Sequence, residues 1–249
     1  MSGHSKWATI KRKKGALDAR RGAQFTKAAK EITIAARQGG GDADANARLR
    51  AAIVAAKAIN VPNANIDRAI KRATAAGDGE ALEEIRYEGF GPGGVAIIVE
   101  ALTDNRNRTA SEMRTAFSRH GGNMGETGSV AYMFDRVGIV EFEAAVAGGD
   151  AMFEAAAEAG AADVESDGDG HVVYCAADAL NEVREALEAK FGEPKGARLG
   201  WRPQNQVPVD ADAAETLFKL LEALDDNDDV QRVSANYDVP EEVMAKLGA

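Results

Sequence analysis

The sequence predicts a multidomain α+β protein in which an N-terminal three-helix domain is followed by two α/β domains, the last ferredoxin-like and inserted into the middle one. Apolar residues recur at helical spacing before residue 77, and short runs rich in β-branched and aromatic residues alternate with helical patterns after it. The charge divides at the same place: residues 1–76 hold sixteen Lys and Arg against five Asp and Glu, whereas residues 77–249 hold fourteen against thirty-five. Net charges of +11 and −21 on the two parts indicate an N-terminal segment that attracts anions.

Residues 1–78 are predicted to form a basic arm and three helices. Glycines in "QGGGDADAN" end the first helix, Asp42 or Asp44 caps the second, and Pro62 ends it before a third helix that begins near Asn63. The residues predicted to face the core of this domain are Phe25, Ala29, Ile32 and Ala36 on the first helix, Leu49, Ile53 and Ala56 on the second, and Ile66, Ala69, Ile70 and Ala73 on the third.

The middle domain is predicted to be discontinuous, with residues 79–137 and 203–249 as its two parts. The first part contains the strand runs "GVAIIVEAL" and "SVAYMF" and a helix from Thr109 to His120. The second part contains a helix from Asp212 to Leu224 and the strand "VQRVSAN". These two parts complete one α/β layer only if their strands pair with each other in one sheet. The residues between them must then form an inserted domain.

The inserted domain, residues 138–202, is predicted from a βαββαβ order of elements. Strand "GIVEFE" is followed by a helix from Ala151 to Ala159, strand "ADVESDG", strand "HVVYCAA", a helix from Ala177 to Phe191 and a closing strand near "KGARLGW". This order is that of the ferredoxin-like fold.

Catalytic and cofactor motifs are weak in this sequence. "GFGPGG" at residues 89–94 has the letters of a dinucleotide-binding loop, but it precedes a strand and contains Pro92, so a tight turn is predicted instead. "DADAN" lacks the turn glycine and the bidentate Glu of a calcium loop. His4, His120 and His171 are scattered without partners at ligand spacing. We therefore predict no cofactor, no metal site and no enzymatic activity.

The cellular setting is predicted from cysteine usage and hydropathy. Cys175 stands alone in an apolar run, which favours a buried structural thiol in a reducing, cytoplasmic setting over a nucleophile. No stretch approaches the roughly 20 apolar residues that a membrane span requires. The Arg-rich start also has the composition of an organelle transit peptide, but Gly3, His4 and Trp7 interrupt an amphipathic helix there.

The basic arm and the outward faces of two helices form the predicted nucleic-acid-binding surface. Clustered Lys and Arg seek phosphates, and a single Trp among them can stack on a base. The alternative is a solvated tail that Trp7 anchors to the helices. Cations spread over helix faces favour the binding surface, because an interface needs charge on more than one tail. The predicted nucleic-acid-binding residues are Lys6, Trp7, Lys11, Arg12, Lys13, Lys14, Arg20, Arg21, Lys27, Lys30, Arg68, Lys71 and Arg72.

Two loops are further candidates. "TDNRNRTASEMR" places Asn105, Arg106, Asn107 and Arg108 before a helix that Thr109 and Glu112 would cap; the loop could contact RNA or a protein, or serve only the helix start. "RHGGNMGETGSV" carries Asn123 and Met124 in a loop that either reaches a partner or simply connects a helix to a strand. The acidic run from Glu222 to Asp229 is interpreted as a solvated helix end that repels phosphate.

Long motifs resemble one known family. "MSGHSKWATIKRKKGALDARRGAQFTKAAKEI", "NVPNANIDRAIKRA", "YEGFGPGGVAIIVEALTDNRNRTASEMR" and "HGGNMGETGSVAYMF" closely resemble the YebC/PmpR family, and the similarity covers essentially the whole length. The resemblance implies an all-helical N-terminal domain, two α/β domains and a cytoplasmic, non-enzymatic protein described as a DNA-binding transcriptional regulator. Other members, including mitochondrial relatives, look like ribosome-associated translation factors that help synthesis through proline-rich stretches.

The predicted function is nucleic-acid-binding regulation of gene expression. Transcription comes first because the resemblance most often implies it, and the alternative is a ribosome-associated translation factor that relieves stalling at proline-rich stretches. The residues alone favour RNA, because the third helix is short and no helix presents the Asn, Gln and Arg set that reads the DNA major groove. The predicted partners are DNA or ribosomal RNA, with the ribosome as a candidate, and neither a membrane nor a small-molecule substrate.

Overall fold

The computed structural model describes residues 17–75, 82–240 and 242–243, and in it the N-terminal helices follow their apolar periodicity. Helix α1 spans Leu17–Gly39, α2 spans Ala47–Ala58 and α3 spans Asn63–Thr74. Their shared core contains Ile32, Ala35, Ala36, Leu49, Ala52, Ala56, Val61, Ile66 and Ala69.

The start of α2 differs from the prediction that Asp42 or Asp44 caps it. Asn46 is the N-cap: its side-chain oxygen accepts from the backbone N–H of Leu49, and its amide nitrogen donates to the carbonyls of Ala35 and Gly40. Because one buried amide satisfies both helix termini, it ties the end of α1 to the start of α2.

The middle domain begins with a hairpin. Strand β1 (Glu83–Phe90) pairs antiparallel with β2 (Ala96–Thr103), and the "GFGPGG" segment forms the tight turn that the sequence predicts, with Gly93 and Gly94 at positive φ. Helix α4 (Arg106–Arg119) and the short strand β3 (Asn123–Met124) follow. The predicted strand "SVAYMF" was wrong, because its residues 131–133 form a 3₁₀ turn and the next strand begins only at Phe134.

A second sheet lies next along the chain. Its elements are β4 (Phe134–Phe142), α5 (Gly149–Glu158), β5 (Asp163–Asp167), β6 (Gly170–Ala176), α6 (Leu180–Phe191) and β7 (Gly196–Pro203). The strand order β5-β6-β4-β7 is antiparallel throughout, and the two helices pack on one face over a core that includes Val140, Phe142, Met152 and Leu187. This topology confirms the ferredoxin-like fold.

The chain then returns to the first sheet. Strand β8 (Val207–Pro208), α7 (Ala211–Asp225), β9 (Val230–Ala235) and β10 (Tyr237–Asp238) follow, and β9 completes the order β3-β1-β2-β9 by pairing with β2. Side chains of α4 and α7, including Phe117 and Leu217, pack on one face of this sheet. The fold class is therefore confirmed, with the ferredoxin-like sheet inserted into the middle one; the residue boundaries given for the three domains stay predictions.

Candidate nucleic-acid interface

Most of the predicted basic arm lies outside the described residues. This applies to Lys6, Trp7 and the run Lys11–Lys14. Arg20 and Arg21 belong to the first turns of α1, whose backbone is described from Leu17 onward, but their side chains are outside the description. The assignment of these residues to phosphate binding stays a prediction.

Helix α3 presents the described part of the predicted basic surface. Ile66 and Ala69 face the core, whereas Arg68, Lys71 and Arg72 are exposed. This division follows the helical period of the sequence, because residues three and four apart share a face. Lys71 and Arg72 stand in the last turn of α3, where cations also suit the negative end of the helix dipole.

Lys27 and Lys30 have protein partners that the sequence did not predict. Lys27 Nζ lies 3.6 Å from Asp225 Oδ1, and Lys30 Nζ lies 2.5 Å from Asp229 Oδ1. Lys30 also donates to the backbone carbonyl of Asp228. Their side chains join α1 to the segment between α7 and β9, and their predicted role in binding nucleic acid stays a prediction.

Asp229 is the centre of this junction, and the sequence did not identify it. The residue is buried, which corrects the interpretation of the whole run Glu222–Asp229 as a solvated helix end. Its Oδ2 accepts from Thr109 Oγ1 at 2.7 Å, Thr103 Oγ1 at 3.2 Å and Arg108 Nη2 at 3.1 Å, while Oδ1 accepts from Lys30. One carboxylate therefore connects α1, the end of β2 and the start of α4.

The electrostatics of Asp229 follow from these contacts. Burial by itself raises the pKa of a carboxyl group, but the hydrogen bonds from Lys30, Thr109 and Arg108 outweigh it and lower the pKa of Asp229 to about 2. The carboxylate is therefore ionised in the folded protein at neutral pH, and it neutralises the lysine that the sequence assigned to phosphate binding.

The loop before α4 also differs from its predicted role. Asn105, not Thr109, is the N-cap: its side chain accepts from the backbone N–H of Arg108, and Thr109 is fully buried. Arg108 pairs with Asp104 at 2.8 Å as well as with Asp229. Of the four candidate residues in this loop, Arg106 and Asn107 remain exposed without an assigned structural role.

The candidate loop around Met124 is held against the sheet. Asn123 and Met124 form β3 and pair with Phe90 and Gly89 of β1, and Met124 is half-buried against the core of the middle domain. Of the two alternatives for this loop, the pairing of Met124 favours a connection between helix and strand over a loop that reaches a partner. Asn123 and residues 126–128 are exposed.

Glu88 anchors this loop. Its side chain is buried, with Oε1 accepting from the N–H of Gly128 and Oε2 from the N–H groups of Val130 and Ala131, each at 2.9 Å. Burial raises the pKa of a carboxyl group, but here the backbone hydrogen bonds and Arg86 lower the pKa of Glu88 below its usual value. A charged residue inside the otherwise apolar end of β1 is the sequence signal that could have identified it.

Replacing Glu88 with Gln is expected to destabilise the protein by about 1–3 kcal/mol, because an amide nitrogen cannot accept the backbone hydrogen bonds that a carboxylate oxygen accepts. Urea unfolding measures this free energy. The matched control is Glu84→Gln on the same strand, whose half-exposed carboxylate pairs with Arg48 at 2.5 Å and whose replacement should cost below about 1 kcal/mol. Equal losses for the two variants would contradict the anchoring role.

The histidine and the cysteine of the ferredoxin-like sheet are both buried. His171 is buried between Ser166 Oγ and the carbonyl of Ala147, and burial raises the pKa of the Cys175 thiol. Within the described ranges, no group of His, Cys, Asp and Glu could hold a metal ion. No helix in those ranges is long and apolar enough to cross a membrane.

Two family models and a solved structure match this chain. The model described as the TACO1/YebC protein N-terminal domain matches residues 5–76, and the model described as the TACO1/YebC second and third domain matches residues 82–237. The crystal structure of a conserved hypothetical protein, Aq1575, from Aquifex aeolicus is 45% identical in sequence. The match covers 90% of this chain and 92% of that chain, with a TM-score of 0.85.

Proposed function

Because this chain belongs to the TACO1/YebC family, we propose that it is a nucleic-acid-binding regulator of gene expression without catalytic activity of its own. The observation that carries the proposal is the separation of charge, with a net +11 on residues 1–76 in a chain whose total is −10. Such a segment attracts polyanions even when the whole protein is acidic. The proposed footprint is centred on the arm, Arg20, Arg21 and the exposed cations of α3, and Lys27 and Lys30 lie at its edge, where they pair with Asp225 and Asp229.

Within this proposal, RNA is the favoured target. The specific observation is the position of the cations on α3, where Lys71 and Arg72 stand in the last turn of a twelve-residue helix. A helix that reads the DNA major groove uses its N-terminal residues for base contacts, and here those positions lack basic side chains. Cations at the other end suit phosphate contacts, which fit recognition of structured RNA by shape.

Regulation through duplex DNA is the second candidate. The observation in its favour is that Arg68, Lys71 and Arg72 lie exposed on one α-helix, the element that fits the major groove. The transcriptional role expected from the family resemblance depends on this mode of binding. Ribosome association, expected from other members, depends on the RNA mode instead.

Competition binding distinguishes the two candidates. Full-length protein is bound to a fluorescent fragment of ribosomal RNA at 0.1 M salt, and unlabelled duplex DNA with the same number of phosphates is added. We expect the DNA to compete at least about tenfold more weakly than unlabelled RNA, since shape recognition uses the A-form minor groove and the 2′-hydroxyls. Stronger competition by duplex DNA, in a manner that depends on its sequence, would favour the transcriptional candidate and contradict the RNA proposal.

A further inference from the structure

A cleft of about 960 Å³ opens where the helical, middle and ferredoxin-like parts of the protein meet. Helix α2 forms one wall, strands β1, β2 and β9 form another, and β4, α6 and β7 form the third. A volume of this size accommodates a small organic ligand. The exposed cations of α3 do not line this cleft, so it is distinct from the proposed nucleic-acid footprint.

An irregularity in β9 directs two polar side chains into the cleft. Glu100 of β2 pairs with Arg232, but the next residue, Ala101, pairs with Val230, so that Gln231 is an extra residue in the ladder. Val230 packs into the core on the helix side of the sheet, whereas Gln231 and Arg232 both line the cleft. A β-bulge re-aims side chains in this way and is frequent beside functional sites.

Arg232 is the unpaired cation of the cleft. Among the residues that the structure describes, it has no hydrogen-bond or ion-pair partner, whereas Arg136 pairs with Glu100 at 2.8 Å and Arg198 with Glu141 at 2.6 Å. Burial and the neighbouring charge of Arg198 lower the pKa of Arg232, and the charges of Glu31 and Glu100 oppose this shift without reversing it. Arg232 is half-buried, and among the described residues no carboxylate lies within ion-pairing distance of it, so an anion or water is needed to complete its solvation.

Three further polar atoms of cleft-lining residues lack a partner within the described structure. They are the buried Trp201 Nε1, Gln231 Nε2 and Glu100 Oε2. The Trp201 ring is fixed by Arg86 and Arg136, whose guanidinium carbons lie 5.1 and 4.9 Å from the ring centroid. The cleft thus offers two neutral donors and one cation against one acceptor, an excess of donors that suits an oxyanion.

The carboxylates that line the cleft do not cancel its excess of hydrogen-bond donors, because most of them already pair with other arginines. Glu31 and Glu84 bind Arg48, Glu188 binds Arg184, and Glu141 and Glu100 bind the two arginines described above; Glu193 also lines the cleft. The charges of Glu31 and Glu100 reach Arg232, but each of these carboxylates forms its ion pair with another arginine. The hydrogen-bonding groups of Arg232 therefore remain available to an anion, together with the donors beside it.

We propose that this cleft binds a phosphate-bearing ligand, with Arg232 and Gln231 at the β9 bulge and the Trp201 indole N–H as its donors. A phosphate has three or more oxygens that can accept from these separate directions at once, and guanidinium groups bind phosphate with paired hydrogen bonds. The phosphate belongs either to a free phosphorylated small molecule or to a nucleic-acid strand that enters the cleft. In either case it is a bound ligand and undergoes no reaction here.

Isothermal titration of full-length protein with inorganic pyrophosphate tests the proposal. The replacement Arg232→Gln is expected to weaken binding about tenfold or more, because it removes the charge-assisted hydrogen bonds. The control Arg114→Gln removes one exposed Arg from α4 and should leave affinity unchanged. Each titration is repeated with Lys11–Lys14 replaced by Ala, which separates cleft binding from binding by the arm. Equal pyrophosphate affinity in Arg232→Gln and the parent protein, in both backgrounds, would overturn the proposal.

A stability measurement keeps the test independent of misfolding. Without phosphate present, Arg232→Met should melt at the same temperature as the parent protein or higher, since it removes a half-buried charge that forms no ion pair within the described residues. A lower melting temperature would show that Arg232 serves the fold, and would overturn the proposal.

Competition of bound pyrophosphate by AMP or by a short single-stranded RNA then tells which source of phosphate the cleft accepts. Failure of RNA binding by the arm would leave the pyrophosphate result unaffected, so the two proposals fail separately.

Discussion

Replacing the four consecutive cations Lys11–Lys14 with Ala is expected to weaken nucleic-acid binding by about 100- to 1000-fold at 0.1 M salt. If about six phosphates of a duplex are contacted, the logarithm of the binding constant should fall against the logarithm of salt concentration with a slope near −5, because each neutralised phosphate releases counterions. Removing four of those contacts reduces the slope to about −2. Fluorescence anisotropy over a salt series measures both quantities.

The control for this variant removes the same charge elsewhere. Arg114, Arg119, Lys190 and Lys219 are exposed or half-exposed residues of the acidic part of the chain, and their joint replacement with Ala should leave the slope unchanged. The arm assignment would be wrong if both quadruple variants reduced the slope equally. Such a result would reflect net charge alone.

Replacing Asp229 with Ala is expected to lower the free energy of unfolding by about 3 kcal/mol or more, the largest stability effect that the structure predicts. The change removes the carboxylate that pairs with Lys30 and one of the two that pair with Arg108, and it leaves the buried Thr109 hydroxyl without this acceptor. Breaking a buried pair costs more than the pair contributes, because uncompensated charge stays behind. Asp228→Ala, one residue earlier and exposed, should change stability by at most about 0.5 kcal/mol.

Acid titration provides a second readout for Asp229. Its pKa falls from 3.8 in the unfolded chain to about 2 in the folded protein, so its contribution is complete above pH 4 and is lost as the pH falls toward 2. The shift corresponds to about 2 kcal/mol. In urea unfolding, the stability difference between the parent protein and Asp229→Asn should therefore shrink between pH 4 and pH 2. A constant difference over this range would contradict the ionised junction.

The sequence predicts the fold well wherever the pattern is local. The helical period identifies α2 and α3, and the order of strands and helices identifies the ferredoxin-like sheet, because both depend on neighbours along the chain. Strand β1 is different, because its sequence "EEIRYEGF" contains four charged residues and lacks the alternation of a half-buried strand. In the structure this strand is exposed at its start and buried toward its end.

The junction at Asp229 could not be predicted from one sequence. Within "DDNDD", nothing local separates the buried Asp229 from its exposed neighbour Asp228. The helical wheel correctly places Lys27 and Lys30 away from the helical core, but it cannot show that another domain covers that face. Long-range contacts therefore decide which cations of the basic segment form ion pairs with the acidic part of the chain.

Sedimentation of cell extract through a sucrose gradient tests the central proposal most directly. At low and moderate salt, we expect the full-length protein to migrate with ribosomes and the Lys11–Lys14 variant to stay near the top of the gradient. Loss of co-migration in the variant would identify the arm as the RNA contact. The opposite result has two parts: both proteins stay at the top of the gradient, and the parent protein binds promoter-length DNA whereas the variant does not. That result would contradict the RNA proposal and make transcription the leading function.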